Sequence, residues 1–370
     1  MRGHYVRPYR GNYTLKIFKA FDADGHVLEK ESVLERYYEG SWSNSKRFDG
    51  LGIFPSLDGW PRTVAVKQGD PGPRYLETSG KIWSQILNEM DLEGSVLYPS
   101  SGLGIGLIKS REFASATATA YNNWLEKNYL EQDDRLYGAG LMAVNDIDQA
   151  VNELERCAHS RTRFVAMLLP TVTCLQKSYG HKDFWPIYEK AQSLNMVLAL
   201  HGAPSEGFGL DHLDEFQKVH TLSHPVPIFI HLTDMIFSGV FEEFPTLRFA
   251  FLEAGSSWVP FMLDRLDYEF DSVFGARARQ RLKRRPSDII RNHEGFWVSC
   301  EMGEACLKYT IDTMGADRIV YASDFPHEPT EEDLTSDLPN FLADNQYTED
   351  VKRKIAGKNA KRLYRIDGQN

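Results

Sequence analysis

Short apolar runs recur along this chain, and most are separated by stretches in which apolar positions return every three or four residues. Eight runs stand out, at residues 18–23, 95–98, 136–144, 164–169, 196–200, 247–252, 296–300 and 319–323. Runs that are apolar throughout, rather than alternating, suit strands of a parallel sheet covered on both faces. The stretches between them read as helices. Asn145 is placed to cap one whose apolar positions Ile147, Val151, Leu154 and Ala158 share a face. Residues 184–194, 227–244 (stopped by Pro245), 258–270 and 304–314 (ended by Gly315) obey the same logic. Strand and helix alternating through eight strands predicts an α/β fold of the (β/α)₈, TIM-barrel type. A doubly wound open sheet is the competing fold. It is disfavoured because no GxGxxG or phosphate-binding loop comes after the first strand.

One connection breaks the rhythm. Roughly 70 residues lie between the first and second runs, far more than a barrel connection needs. The stretch is rich in Gly, Pro and aromatics, among them Trp42, Phe54, Trp60, Pro71, Pro73 and Tyr75. A loop leaving a strand's C-terminal end rises over the active-site rim of a barrel. Residues 30–92 are therefore read as an insertion capping the site, within a single distorted barrel domain spanning 1–370.

The strand ends carry the chemistry. Asp24 and His26 lie at the end of the first run, His201 at the fifth, Glu253 at the sixth, Glu301 at the seventh and Asp324 at the eighth. In a parallel barrel all these ends open at one mouth, so residues some 300 positions apart converge. Carboxylates and imidazoles crowded together need a compensating charge, which a divalent cation supplies. Asp24 and His26, two positions apart, are expected on one side of their strand. With His201 and Asp324 they make a ligand set for one divalent ion, Zn²⁺ first, with Mn²⁺ or another first-row metal as alternatives.

Composition narrows the class. The chain has 370 residues, 42% hydrophobic and 25% charged, with a formal net charge of −10. That balance argues against a nucleic-acid partner, and the basic run from Arg277 to Arg285 is short enough to be a solvated helix face. Cys157, Cys174, Cys300 and Cys306 form no CxxC pair, which suits a reduced, cytoplasmic protein. Residues 1–19 have no secretory character, and no apolar stretch is long enough to span a membrane. The expected partner is a small-molecule substrate.

Several segments resemble the amidohydrolase-related family of metal-dependent hydrolases and decarboxylases, a group that includes aminocarboxymuconate semialdehyde decarboxylase and γ-resorcylate decarboxylase. The resemblance rests on Asp22-Ala-Asp-Gly-His26-Val-Leu-Glu29, Leu200-His-Gly202, Gly239-Val-Phe-Glu-Glu-Phe-Pro-Thr-Leu-Arg248 and Phe251-Leu-Glu-Ala-Gly255. It continues through Trp258-Val-Pro260, Arg265-Leu-Asp267 and Ser323-Asp-Phe-Pro-His327, in order over residues 20 to 330. It implies a distorted (β/α)₈ barrel holding one metal ion, with ligands at Asp24, His26, His201 and Asp324, the same four that the strand ends nominate. It also makes a homodimer reasonable. Two departures matter. Many members carry His-x-His where this chain has Asp24-Gly-His26. The family's decarboxylases end the sixth strand in a catalytic His, where this chain has Glu253.

Two chemistries are open to such a site. In hydrolysis, a metal-activated water attacks an amide, lactam, lactone or C–C bond of a small cyclic or aromatic molecule. Asp324 then shuttles the proton, and Glu253 assists if burial raises its pKa. In the alternative, non-oxidative decarboxylation, the metal chelates an aromatic or unsaturated acid and Asp324 or Glu253 protonates the carbon that loses CO₂. The exchange of His for Glu253 tips the expectation toward hydrolysis. A metal-binding barrel with altered catalysis is the third reading. His224, before Pro225, is a candidate pocket group. Glu29 and His327 are candidates to orient ligands or substrate, with Tyr98, His231 and Glu301 behind them.

Overall fold

The computed structural model describes residues 18–43, 52–57, 77–205, 207–327 and 331–366. Eight parallel strands lie in sequence order in one sheet: β1 (Ala20–Val27), β2 (Leu92–Pro99), β3 (Leu136–Gly140), β4 (Phe164–Pro170), β5 (Val197–His201), β6 (Phe249–Leu252), β7 (Phe296–Cys300) and β8 (Ile319–Tyr321). The ring closes just beyond β8. Asp324 N–H donates to the Asp24 carbonyl (3.0 Å) and His26 N–H to the Phe325 carbonyl (2.7 Å). The expected (β/α)₈ barrel is thus present, and all eight apolar runs become strands, with bounds shifted by a few residues.

The interior is filled rather than hollow. Small residues (Ala23, Ala139, Ala166, Ala199, Ala250) alternate with large ones (Phe21, Tyr98, Trp297), all buried. Alternation of small and large side chains lets the strand layers interdigitate at core density. The helix Asn359–Tyr364 plugs the bottom: its Tyr364 hydroxyl donates to the Ala23 carbonyl and meets the Tyr98 hydroxyl, each at 2.9 Å. With the N-terminal end stoppered, the C-terminal end is the mouth.

Three helical expectations change. Asp146, not Asn145, caps Ile147–Ala158 by accepting from Gln149 N–H, while the Asn145 amide donates to the Ile108 carbonyl. The face that helix buries is Ala150, Glu153, Leu154 and Cys157, so Ile147, Val151 and Ala158 only border it. The stretch 227–244 is two helices, Pro225–Ser238 and Val240–Glu243, parted at Gly239, whose φ of 82° is left-handed and ends the first. Of the insertion, Trp60, Pro71, Pro73 and Tyr75 lie outside the described residues. Trp42 and Phe54 lie within them. Trp42 packs 5.3 Å from the Phe113 ring, and Phe54 is buried. No described helix is long and apolar enough to cross a membrane.

Candidate active site

The geometry of β1 decides which side chains enter the mouth. Phe21 and Ala23 point into the barrel. Strict alternation would then send Asp24 and His26 outward. The pairing instead runs Asp22↔Ser95 and then Gly25↔Leu97, three residues on β1 against two on β2. This extra residue is a bulge, which reverses parity and re-aims the side chains beyond it. Asp22 and Gly25 face the outer side; a Cβ on Gly25 would come within 2.3 Å of the Trp83 ring. Asp24 and His26 turn inward.

There they meet His201, which ends β5 in phase with the interior residues Val197 and Ala199. Candidate ligand atoms of Asp24, His26 and His201 all lie within 4.8 Å of one another, as do those of His26, Asp324 and His327. Asp24 Oδ1 is 3.2 Å from His201 Nε2 and 3.7 Å from His26 Nε2, and Asp324 Oδ1 is 3.3 Å from His26 Nε2. The four residues nominated by the sequence come together.

The donor set fits a divalent cation. His26 Nδ1 sits 2.9 Å from the Pro99 carbonyl and His201 Nδ1 2.7 Å from the Gly202 carbonyl. A carbonyl only accepts, so each Nδ1 carries the hydrogen and each Nε2 offers a lone pair inward. His26 Nε2 is buried with no hydrogen-bond partner. An orphaned nitrogen of that kind, aimed at two carboxylates, is costly unless something bonds it. Burial pushes the Asp24 carboxyl up to about 7 and drives His26 well below the usual imidazole value. Desolvation opposes charge on His201, yet Asp24 and Glu253 beside it outweigh that and raise its pKa well above normal. Cation binding would release that proton.

Around this cluster, two residues are held in left-handed backbone: Glu253 (φ 56°) and Asp324 (φ 50°). Non-glycine residues rarely sit there, and such strain concentrates at functional sites. The twist at Glu253 turns its carboxylate into the mouth, where Oε2 lies 3.2 Å from His201 Nδ1 and 3.5 Å from His224 Nε2. Burial raises the Glu253 pKa, but these two imidazoles outweigh it and hold the carboxyl well below its usual range. The upward shift that would make Glu253 a proton donor is therefore absent. His224 begins the helix Pro225–Ser238 and packs on Gly202, where a Cβ would come within 2.7 Å of both its Cδ2 and the Glu253 carbonyl.

His327 lies beside Asp324. Its Nδ1 is 2.9 Å from Asp324 Oδ1 and its Nε2 is 2.7 Å from Ser100 Oγ. Glu29 stands one step back, its carboxylate accepting the N–H groups of Ser100, Ser101 and Gly102 at 2.9–3.3 Å. It orders the loop after β2 that carries Ser100, and burial pushes its pKa up to about 7. Glu301 lines the cavity beside the cluster.

Two candidates take other places. Tyr98 lies inside the barrel beneath the imidazoles, its ring 5.5 Å from that of His201 and its hydroxyl on Tyr364, so no substrate reaches it. His231 has both nitrogens engaged, Nε2 with the Thr171 carbonyl (2.9 Å) and Nδ1 accepting from Tyr179 N–H (3.3 Å). It pins the helix Pro225–Ser238 to the loop after β4 and does not line the cavity.

Other residues were not nominated at all. Asp22 is fully buried and accepts from Ser95 Oγ (2.6 Å), Ser323 N–H (2.9 Å) and Ser323 Oγ (2.8 Å), tying β1 to β2 and to the end of β8. The repeat Asp22-x-Asp24-x-His26 is the only sequence signal for it. Glu304 gathers the loops after β6 and β7, accepting from Glu301 N–H (2.8 Å), Ser256 N–H (2.8 Å), Ser256 Oγ (3.0 Å) and Ser257 Oγ (2.6 Å). Nothing in the sequence links it to Ser256.

A stoppered α/β barrel with a cluster of carboxylates and imidazoles at its mouth that could hold a metal ion is the arrangement of a metal-dependent barrel. A family model described as "Amidohydrolase" matches residues 99–366, and the chain belongs to that family. It is 25% identical over 360 residues to the 2-amino-3-carboxymuconate-6-semialdehyde decarboxylase of Dictyostelium discoideum, covering 94% of this chain and 91% of that protein. It is 23% identical over 327 residues to the gamma-resorcylate decarboxylase of Polaromonas sp. strain JS666, covering 86% and 94%. The solved dihydroxybenzoic acid decarboxylase of Polaromonas sp. JS666, with bound manganese and the inhibitor 2-nitroresorcinol, superposes with a TM-score of 0.70 at 18% identity, covering 95% and 98%. These relatives are decarboxylases, and they favour the decarboxylase alternative over the hydrolysis that Glu253 had suggested.

Proposed function

We propose that this protein is a divalent-metal-dependent carboxy-lyase that removes CO₂ from an aromatic or conjugated carboxylic acid without an oxidant. Asp24, His26, His201 and Asp324 would hold the ion, which would anchor the substrate's carboxylate and draw off negative charge near the reacting carbon. Zn²⁺ and Mn²⁺ both suit two imidazoles and two carboxylates, and manganese is the ion in the Polaromonas structure.

One observation carries the reading: the line Asp324–His327–Ser100 at the edge of the mouth. Ser100 Oγ donates to the Val27 carbonyl at 2.7 Å, so it accepts from His327 Nε2–H. With Nε2 protonated, the contact between His327 Nδ1 and Asp324 Oδ1 needs a second proton, shared by the pair. Burial raises the Asp324 pKa. Burial opposes charge on His327, but Asp324 outweighs it and raises that pKa too. Decarboxylation consumes one proton per turnover: the C–CO₂ bond breaks, its electron pair stays on carbon, and a proton must arrive there. Asp324, at the cluster, delivers it. His327, whose side chain is 29% exposed, restores it from solvent. Hydrolysis would use Asp324 only to pass on the proton that the attacking water brings, and needs no resupply from solvent. Glu253 stays ionised and holds His201 and His224 in place.

The test is to load purified protein with Mn²⁺ or Zn²⁺ and offer hydroxy- and aminobenzoates and conjugated dienoic acids, monitoring CO₂. The expected product lacks one carboxyl group and, made in D₂O, carries one deuterium at the vacated carbon. A hydrolysed product with no CO₂ would overturn the proposal.

A further inference from the structure

The bulge that turns Asp24 and His26 into the mouth has a counterpart just before it. Ala20 pairs with Leu92 and Asp22 with Ser95, two residues on β1 against three on β2. From there to Gly25↔Leu97 the count is three against two. The slips cancel, so a regular ladder would join the same ends, with Asp22 opposite Gly94. In that ladder Phe21, Ala23 and Gly25 would share the inner face. Asp24 and His26 would point away from the mouth, because a shift of one residue exchanges the faces of a strand. Something must select the slipped form.

The Asp22 carboxylate stands at the pair between the slips. Its Oδ2 accepts from Ser95 Oγ at 2.6 Å, across that pair. Its Oδ1 accepts from Asp24 N–H at 3.2 Å, within the bulge itself. Ser323 gives its N–H to Oδ1 (2.9 Å) and its hydroxyl to Oδ2 (2.8 Å). Ser323 precedes Asp324, whose N–H in turn meets the Asp24 carbonyl. One fully buried carboxylate thus grips the N–H of one ion ligand and the residue before another. In the regular ladder Ser95 would pair with Ala23 and face the interior. The buried carboxylate would lose a donor, which is costly for a charge out of water.

We infer that Asp22 is a positioning residue for the ion site: its carboxylate, wedged between β1, β2 and the end of β8, holds the double slip that aims Asp24 and His26 inward and sets Asp324 opposite them. Asp22 itself lies on the outer face with Gly25, away from the ion. The inference rests on reading the cluster as an ion site and adds a residue that governs the ion without touching it.

The experiment compares wild type with Asp22→Ala, Asp22→Asn, Ser95→Ala and Glu153→Ala. Mn²⁺ affinity is measured by competition with a chelator. Hydrogen exchange of the ion-free proteins is read by mass spectrometry over residues 20–27 and 322–327. Asp22→Ala should weaken Mn²⁺ binding by about tenfold to a hundredfold, the range for residues that orient ligands, and quicken exchange in both segments. Asp22→Asn should recover most of both losses, since its Oδ1 can accept the N–H groups and its amide can donate to the serine hydroxyls. Ser95→Ala, which keeps three of the bonds, should show smaller changes in the same direction, and it decides the matter if Asp22→Ala does not fold. Glu153→Ala removes another buried carboxylate, one that holds Thr119 and Asn122 between outer helices. It should lower Tm and leave Mn²⁺ affinity and both segments unchanged. Unaltered affinity and exchange in Asp22→Ala, Asn as damaging as Ala, or an equal loss of affinity in Glu153→Ala overturns the inference. A wild type that binds neither Mn²⁺ nor Zn²⁺ sinks the ion reading instead, and the exchange comparison then decides whether Asp22 holds the slip.

Discussion

Replacing Glu304 probes how the mouth is held in shape. Its carboxylate accepts four hydrogen bonds, from the N–H groups of Glu301 and Ser256 and the hydroxyls of Ser256 and Ser257. Those bonds fasten the loop after β6 to the loop after β7. The first loop begins with Glu253 in its left-handed conformation, and Glu253 N–H is itself held by Ser299 Oγ at 3.0 Å. In Glu304→Ala, the Glu301 and Ser257 donors can turn to water, because both residues are exposed. Ser256 is fully buried, so its N–H and its hydroxyl both lose their acceptor. Each stranded buried donor costs about 1–3 kcal/mol, with a fall in Tm of roughly 2–4 °C per kcal/mol. Loosening the turn that aims Glu253 should reduce kcat/KM by a further tenfold to a hundredfold, on the order expected when a positioned group moves by about 1 Å. Glu304→Gln should recover most of both losses. Its Oε1 can accept the two N–H groups, and its amide can donate to serine hydroxyls that reverse their direction. Thermal unfolding, metal content and steady-state CO₂ release would be measured on both variants. Gln as damaging as Ala would show that charge, not hydrogen-bond geometry, is what Glu304 supplies. Full activity in the Ala variant would show that the clamp does not position Glu253.

Metal analysis after dialysis should show His26→Ala and His201→Ala without stoichiometric ion; retention of metal and activity by either would remove that ligand. Asp324→Asn should keep part of its metal and lose at least about a hundredfold in turnover, and an unimpaired rate would exclude Asp324 as the proton donor. Gly202→Ala should lower stability by about 1–3 kcal/mol, because the added methyl meets the Glu253 carbonyl and the His224 ring at 2.7 Å; denaturant unfolding reads this, and an unchanged midpoint would mean His224 moves freely. His231 is buried, and burial lowers its pKa. The unfolded chain therefore binds more protons below pH of about 6.5, so this group's stabilisation is present above that pH and is lost as pH falls, at up to about 1.4 kcal/mol per pH unit. His231→Gln should flatten that acid-side slope in a pH series of unfolding curves, and an identical slope would assign the proton uptake elsewhere.

Fold class and the core of the site were legible in the sequence for one reason. A barrel strand buried on both faces must be apolar, and the residue that breaks the run is the one leaving the sheet at the mouth. That rule located all eight strands and, at their ends, Asp24, His26, His201, Glu253, Glu301 and Asp324. It did so without saying how each side chain is turned. Alternation counted through β1 puts Asp22, Asp24 and His26 on one face; the bulge opposite Ser95 and Leu97 separates them, and a bulge is set by pairing with another strand. Burial alone would raise the Glu253 pKa; His201 and His224, brought in from β5 and the helix beyond it, reverse the direction. Tyr98 stands one residue short of its strand's end, yet Tyr364 draws it into the floor. His231, Ser100 and Glu304 each take their roles from a partner 48 or more positions away in the chain. Periodicity and strand ends are local properties of the chain, so the order of residues was enough to give the barrel and the residues at its rim. Side-chain parity, pKa direction and the line from solvent to Asp324 depend on which groups become neighbours in space, and only the closed tertiary structure decided them.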